Sequence, residues 1–252
     1  MIPWVLLARA AMPGGGELRL AQRGAEFSIM LGDTELMNSR VSGSEKALAT
    51  LACQRIRERK QPRILIGGLG MGFTLRAALA ELGPQASVFV AELVPAVVEW
   101  ARGPMAEIFA GCLDDPRLTI FEQDVGELVR AHAATYDAIL LDVDNGPEGL
   151  TRRANDELYG MAGLSAARAA LATGGVLAVW SARPEPRFAE RLRRTGFAVE
   201  EFRVRADGAG GGARHVVWIA SLGAGDRWRQ PHSGSKRRGR RRRARTLQGA
   251  AE

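Results

Sequence analysis

Residues Ile64–Gly72 read ILIGGLGMG, a short apolar run that breaks into a cluster of glycines. The run has the length and β-branched content of a buried parallel strand, and Phe73 to Leu82 carries helical spacing, so the glycines fall on a strand-to-helix turn. Glycine suits that turn because the backbone must bend tightly and admit a ligand where a Cβ would stand in the way. Glu92 follows Gly72 by twenty positions and ends the next apolar run, Ala86 to Ala91. A carboxylate at such a strand end can accept both hydroxyl protons of a ribose, so the pairing points to a nucleotide pocket.

The spacing narrows the ligand. A dinucleotide fingerprint needs glycines at its first, third and sixth positions, but counting from Gly68 the sixth is Phe73, and counting from Gly67 the third is Leu69. What stands is Gly68, Gly70 and Gly72, a G-x-G-x-G turn that resembles motif I of the class I S-adenosylmethionine-dependent methyltransferase fold. Taken alone, the same glycines would also serve close packing of a helix on a strand.

Outward from this turn, strand and helix patterns alternate. Strands are predicted at Arg63 to Ile66, Ser87 to Ala91, Leu118 to Glu122, Ala138 to Asp142, Gly175 to Trp180, Phe197 to Val204 and His215 to Ala220, with helices between most of them. That is the pattern of an α/β, doubly wound, mostly parallel seven-stranded sheet, in which ligands sit beyond the carboxyl ends of the strands. Gly68, Glu92, Asp124 and Asp142 all fall at or just after such ends. Upstream, Glu17 to Leu20 and Glu26 to Leu31 read as short strands of a small β-rich piece, a flap or dimer surface. Glu45 to Arg57 reads as a helix capped by Ser42 or Ser44. The expected organisation is an N-terminal β-rich segment (1–40), a nucleoside-binding catalytic domain (41–225) and a basic tail (226–252).

Composition excludes several classes. The chain has 252 residues, 46% of them hydrophobic, enough for one good core. Its net charge of +7 is misleading, because residues 226–252 hold ten basic residues against two acidic ones and the remainder is almost neutral. Lys236 to Arg245, KRRGRRRRAR, has no aromatic residue to stack on bases, so it reads as a solubilising extension more than as a nonspecific nucleic-acid contact. Two cysteines, Cys53 and Cys112, form no disulfide framework and fit a reducing cytoplasm. No segment is apolar and long enough to span a bilayer, and MIPWVLLARAAM lacks the basic start of a secretory signal. His132, His215 and His232 show no metal-ligand spacing with those cysteines, and no G-x-S-x-G elbow is present. Trp100, Trp180 and Trp218 read as core, and Tyr159 as either packing or a pocket wall.

The series ILIGGLGMGFTLRAAL, VFVAEL, DDPRLTIFEQD, YDAILLDVDNGP and LATGGVLAVW is similar to spermidine synthase and its relatives, aminopropyltransferases on the methyltransferase fold. The resemblance covers roughly Leu31 to Ala220. It implies that Glu92 binds ribose hydroxyls, that Asp124 beside Val125 binds the adenine amino group, and that Asp142 matches the first aspartate of a catalytic D-S-S-D-P loop, where it helps deprotonate the attacking amine. The implied co-substrate is S-adenosylmethionine or its decarboxylated form, with no metal, and the implied partner is a small amine; relatives often form homodimers. Met71 stands where the family has an aspartate for the aminopropyl ammonium group, and Asn145, with Asp144 beside it, stands at the second loop aspartate. ELMNSRVSGSEKAL also lacks the family's glutamine, tyrosine and histidine. Aminopropyl transfer to an amine is therefore expected, with a small-molecule methyltransferase or a noncatalytic nucleoside-binding relative as alternatives. The sulfonium supplies the electrophile, and the protein supplies orientation and a nearby base.

Overall fold

The computed structural model describes residues 2–143, 146–147, 157–207 and 212–223. Asp144 and Asn145 of the expected catalytic loop, and the basic tail, lie outside the described residues.

The chain opens with an antiparallel meander of four strands, β1 (Val5–Ala11), β2 (Glu17–Arg23), β3 (Glu26–Leu31) and β4 (Thr34–Asn38), in the order β1-β2-β3-β4. Alternation along β2 and β3 turns Leu18, Leu20, Phe27 and Ile29 inward, where they join the same core as Leu48 and Ile66. Leu20 and Ile29 are fully buried, and each such side chain contributes about 1.5–3 kcal/mol of burial. The meander is thus part of the main core. Strand β1 pairs along β2 and leaves Val5, Leu6 and Leu7 exposed.

After helix α1 (Gly43–Arg55), a second sheet is built from β5 (Arg63–Gly67), β6 (Ser87–Ala91), β7 (Leu118–Phe121), β8 (Tyr136–Leu141), β9 (Leu171–Ser181), β10 (Ala198–Arg205) and β11 (Arg214–Ser221). Their order is β10-β11-β9-β8-β5-β6-β7. The pairs β8–β9, β5–β8, β5–β6 and β6–β7 are parallel, and β11 runs antiparallel to both β9 and β10. Helices α2 (Phe73–Glu81), α3 (Pro95–Arg102), α4 (Ala106–Phe109), α5 (Val125–Ala131), α6 (Met161–Ala170) and α7 (Pro186–Arg194) provide the crossovers. This is the doubly wound, mostly parallel seven-stranded sheet the sequence predicts.

Central strands buried on both faces explain why β5 and β8 read as unbroken apolar runs. The exception is Asp137 in β8, whose carboxylate accepts the Arg63 backbone N–H at 2.9 Å and meets Arg59 at 3.4 Å. From β5 the chain first winds toward β6 and β7, then returns to place β8 on the other flank of β5. The crevice of an open α/β sheet lies at such a reversal, between the carboxyl ends of β5 and β8.

Candidate active site

Gly68 sits at that reversal. Its φ is +90°, and a Cβ built on it would overlap the carbonyl oxygen of Asp142. The two strand ends approach so closely that only glycine fits, and the Asp142 N–H donates to the Gly67 carbonyl at 3.0 Å across the same gap. Gly70 lies two residues further, with Met37 of β4 against it. Gly72 has a different job. It caps α2 at φ +75°, and the space a Cβ would need is filled by the Phe109 ring. Gly68 and Gly70 line the crevice, whereas Gly72 fixes the helix behind it.

Glu92 follows β6 and is buried with the crevice. One carboxylate oxygen accepts the Leu69 N–H at 2.9 Å and the other accepts the Val94 N–H at 2.9 Å. Burial raises its pKa, and the backbone donors from Val94 and Leu69 oppose that rise. The backbone N–H groups of Gly70 and Leu93 also act on this carboxylate, so the side chain is pinned in the crevice from several sides. Asp124 caps α5, accepting the Gly126 N–H at 2.7 Å, and the adjacent Val125 packs against Gly67. Both line the crevice with Gly68, Gly70, Glu92 and Asp142.

The resulting cavity has a volume of about 110 Å³ and opens to solvent. Its far wall is apolar and comes from the N-terminal meander: Met12, Leu18, Leu36 and Met37. The four strands therefore cover the crevice, a role the sequence left open between flap and dimer surface.

A second cavity adjoins the first, with Leu36, Met37, Gly70 and Asp142 common to both. It is completed by Asn38, Glu45, Leu69, Met71, Phe73 and Trp180. Asp142 is half-buried, and its carboxylate accepts the Thr74 hydroxyl at 2.5 Å. Burial first, and then the nearby charge of Glu45, push its pKa up to about 7, against the opposing bond from Thr74. Glu45 is itself raised by burial. The Ser44 hydroxyl donates to it at 2.6 Å, and His215 lies 2.9 Å from that hydroxyl.

Glu45 and Thr74 were invisible as site residues in the sequence. Glu45 reads as an ordinary acid in the first turn of a helix, and Thr74 as an ordinary helix residue. Ser42 holds the N-cap position of α1 without a side-chain bond, and the Ser44 hydroxyl donates to Glu45. Trp100 and Trp218 are core as expected, whereas Trp180 is both core and wall of the second cavity. Tyr159 is fully buried, packs edge-on against Phe188 and directs its hydroxyl to the Val143 carbonyl at 3.5 Å. Among the described residues no group of three or more His, Cys, Asp or Glu could hold a metal, and no helix is long and apolar enough to cross a membrane.

The sheet and its covering meander define an α/β protein of the methyltransferase-like class. Among solved structures, the fold matches the spermidine synthase of Thermotoga maritima, with a TM-score of 0.68 at 19% identity over 87% of this chain and 73% of that one. A spermidine synthase in complex with the transition-state analogue AdoDATO matches equally, at 20% identity. In sequence, the chain is similar to the polyamine aminopropyltransferase of Mycobacterium tuberculosis, 34% identical over 151 residues. That stretch is 56% of this chain but only 28% of the relative, so the chain matches little more than a quarter of that protein's length. A further polyamine aminopropyltransferase, from Korarchaeum cryptofilum, is 31% identical over 99 residues, 39% of this chain and 30% of the relative. No protein-family model matches the chain.

Proposed function

We propose that the chain transfers an aminopropyl group from decarboxylated S-adenosylmethionine to an amine. One observation carries this reading: Asp142 stands on the wall shared by two abutting cavities. The first has the acidic and glycine-rich lining suited to adenosine, with Glu92 toward ribose and Asp124 beside Val125 toward adenine. The second has a carboxylate at its junction with the first and a second carboxylate, Glu45, on its wall. The similarity to polyamine aminopropyltransferases supports the same assignment.

In this reaction the amine nitrogen attacks the aminopropyl carbon attached to the sulfonium sulfur. A nitrogen–carbon bond forms, the carbon–sulfur bond breaks, and its electron pair returns to sulfur, releasing 5′-methylthioadenosine. The extra proton on nitrogen passes to the Asp142 carboxylate and then to solvent. The protein contributes by holding the two reactants in line, and by keeping a proton acceptor with a pKa near neutrality at the junction. Residues 41–225 form the nucleoside-binding unit in this scheme, with 1–40 as its cover and 226–252 as a solubilising tail.

The test is release of 5′-methylthioadenosine when the purified chain is incubated with decarboxylated S-adenosylmethionine and a panel of amines. Release of S-adenosylhomocysteine from S-adenosylmethionine would identify a methyltransferase instead. Tight nucleoside binding with no turnover of either donor would identify a noncatalytic relative.

A further inference from the structure

The two acids of the second cavity share one end of it. The Thr74 hydroxyl donates to the Asp142 carboxylate at 2.5 Å and lies 3.5 Å from the Glu45 carbonyl oxygen, so the starts of α1 and α2 meet the end of β8 at that point. The charge of Glu45 acts on Asp142 across the same gap. One Glu45 oxygen accepts the Ser44 hydroxyl, which His215 backs from β11. Among the described residues that line the cavity, Glu45 and Asp142 are the two with charged side chains.

Beyond that end the lining changes character. Leu36, Met37, Leu69, Met71, Phe73 and Trp180 offer no charge, and Gly70 offers no side chain. Asn38 is neutral, donates to Glu35 and accepts from the Arg40 backbone. An ammonium group set among these residues would lose its hydration without meeting an opposite charge, which weakens binding steeply. An alkyl carbon in the same place gains from leaving water. The cavity has a volume of about 70 Å³, which takes roughly five to seven groups the size of a water molecule. The paired acids at one end suit a single cation. Neighbouring carboxylates oppose each other's ionisation, so near neutrality Glu45 and Asp142 together hold fewer than two full negative charges.

We propose that the acceptor is a short-chain alkyl monoamine, with its nitrogen between Asp142 and Glu45 and its carbon chain against Met71 and Phe73. A diamine of the same length is disfavoured, because its second ammonium would fall on the uncharged wall. Met71 and Phe73 are then specificity-determining residues for the acceptor. This inference rests on the aminopropyl-transfer reading for its chemistry and names the class of amine which that reading leaves open.

The test compares pentylamine with 1,4-diaminobutane, which have the same number of non-hydrogen atoms and differ in a terminal methyl against a terminal ammonium. With the full chain and decarboxylated S-adenosylmethionine, pentylamine is expected to be favoured by roughly a hundredfold or more in kcat/KM. Met71→Asp, which sets a carboxylate on the uncharged wall, should shift that ratio toward the diamine by about tenfold or more. Equal kcat/KM for the two amines, preference for the diamine, or a ratio unmoved by Met71→Asp overturns the proposal. If Met71→Asp fails to fold, the comparison in the unaltered protein decides. If no amine turns over, the transfer reading fails by itself, and the same two amines are titrated by calorimetry into the protein with 5′-methylthioadenosine present. Tighter binding of pentylamine upholds the assignment of the cavity. Equal affinity, the reverse order, or binding of neither amine refutes it.

Discussion

Asp142 carries a proton at pH values where an exposed aspartate would have lost it, because burial and the neighbouring Glu45 charge oppose its ionisation. A base must be ionised to accept a proton, so kcat/KM should rise with pH on a limb centred at about 7. Asp142→Asn should remove that limb and lower turnover by roughly 100- to 10,000-fold; a variant that keeps the limb would move the base elsewhere. The same shift bears on stability. With its pKa raised from 3.8 to about 7, the folded chain holds a proton between those values that the unfolded chain has released. The contribution of this group therefore declines as pH climbs through that window, and Asp142→Asn should flatten the fall in melting temperature between pH 5 and pH 8. For Glu92, replacement by glutamine removes the charge and turns one of the two acceptors into a donor, and under the proposed reading it weakens the contact with ribose. Calorimetry should show 5′-methylthioadenosine binding weakened by about tenfold or more, with the fold retained. Unchanged affinity would exclude Glu92 from the nucleoside contact.

Among the elements, those around the glycine turn were legible because each carries a local signal. Strand β6 matches its expected limits, and β5, β7 and β8 differ by one or two residues, since apolar runs bounded by turn residues mark buried strands wherever they pair. What the sequence hid is set by tertiary contact. Strand β1 reads as an ambiguous apolar opening until β2 pairs with it, and β4 is only five residues long. Met37, Glu45 and Trp180 become site residues only because β4, α1 and β9 converge on Asp142. The division of labour within the glycine turn was equally hidden, and it can be tested at α2. Gly72→Ala forces a side chain onto a left-handed backbone and into the Phe109 ring, with an expected cost of about 2–4 kcal/mol in denaturant unfolding. Pairing it with Phe109→Leu should recover part of that loss, because the two share one space. Strictly additive losses would show that backbone conformation alone is responsible.

For the whole molecule, the crevice lies between sheet and meander, so under the proposed reading nucleoside binding reports on the integrity of both. At about one hundred times its Kd, 5′-methylthioadenosine should add about 2.7 kcal/mol of stability. For a domain of this size that raises the melting temperature by roughly 5–10 °C. Removing residues 226–252 deletes a net charge of +8 and none of the described residues that line the crevice. The shift should survive that truncation, whereas any salt-sensitive retention on RNA should disappear with it. Gly68 has one more consequence. Its side chain is forbidden by the backbone of a neighbouring strand, whatever occupies the crevice, so a descendant stripped of every chemical group would still need it. The glycine is therefore demanded by the architecture alone, and under the proposed reading the chemistry falls to Glu92, Asp124 and Asp142 beside it.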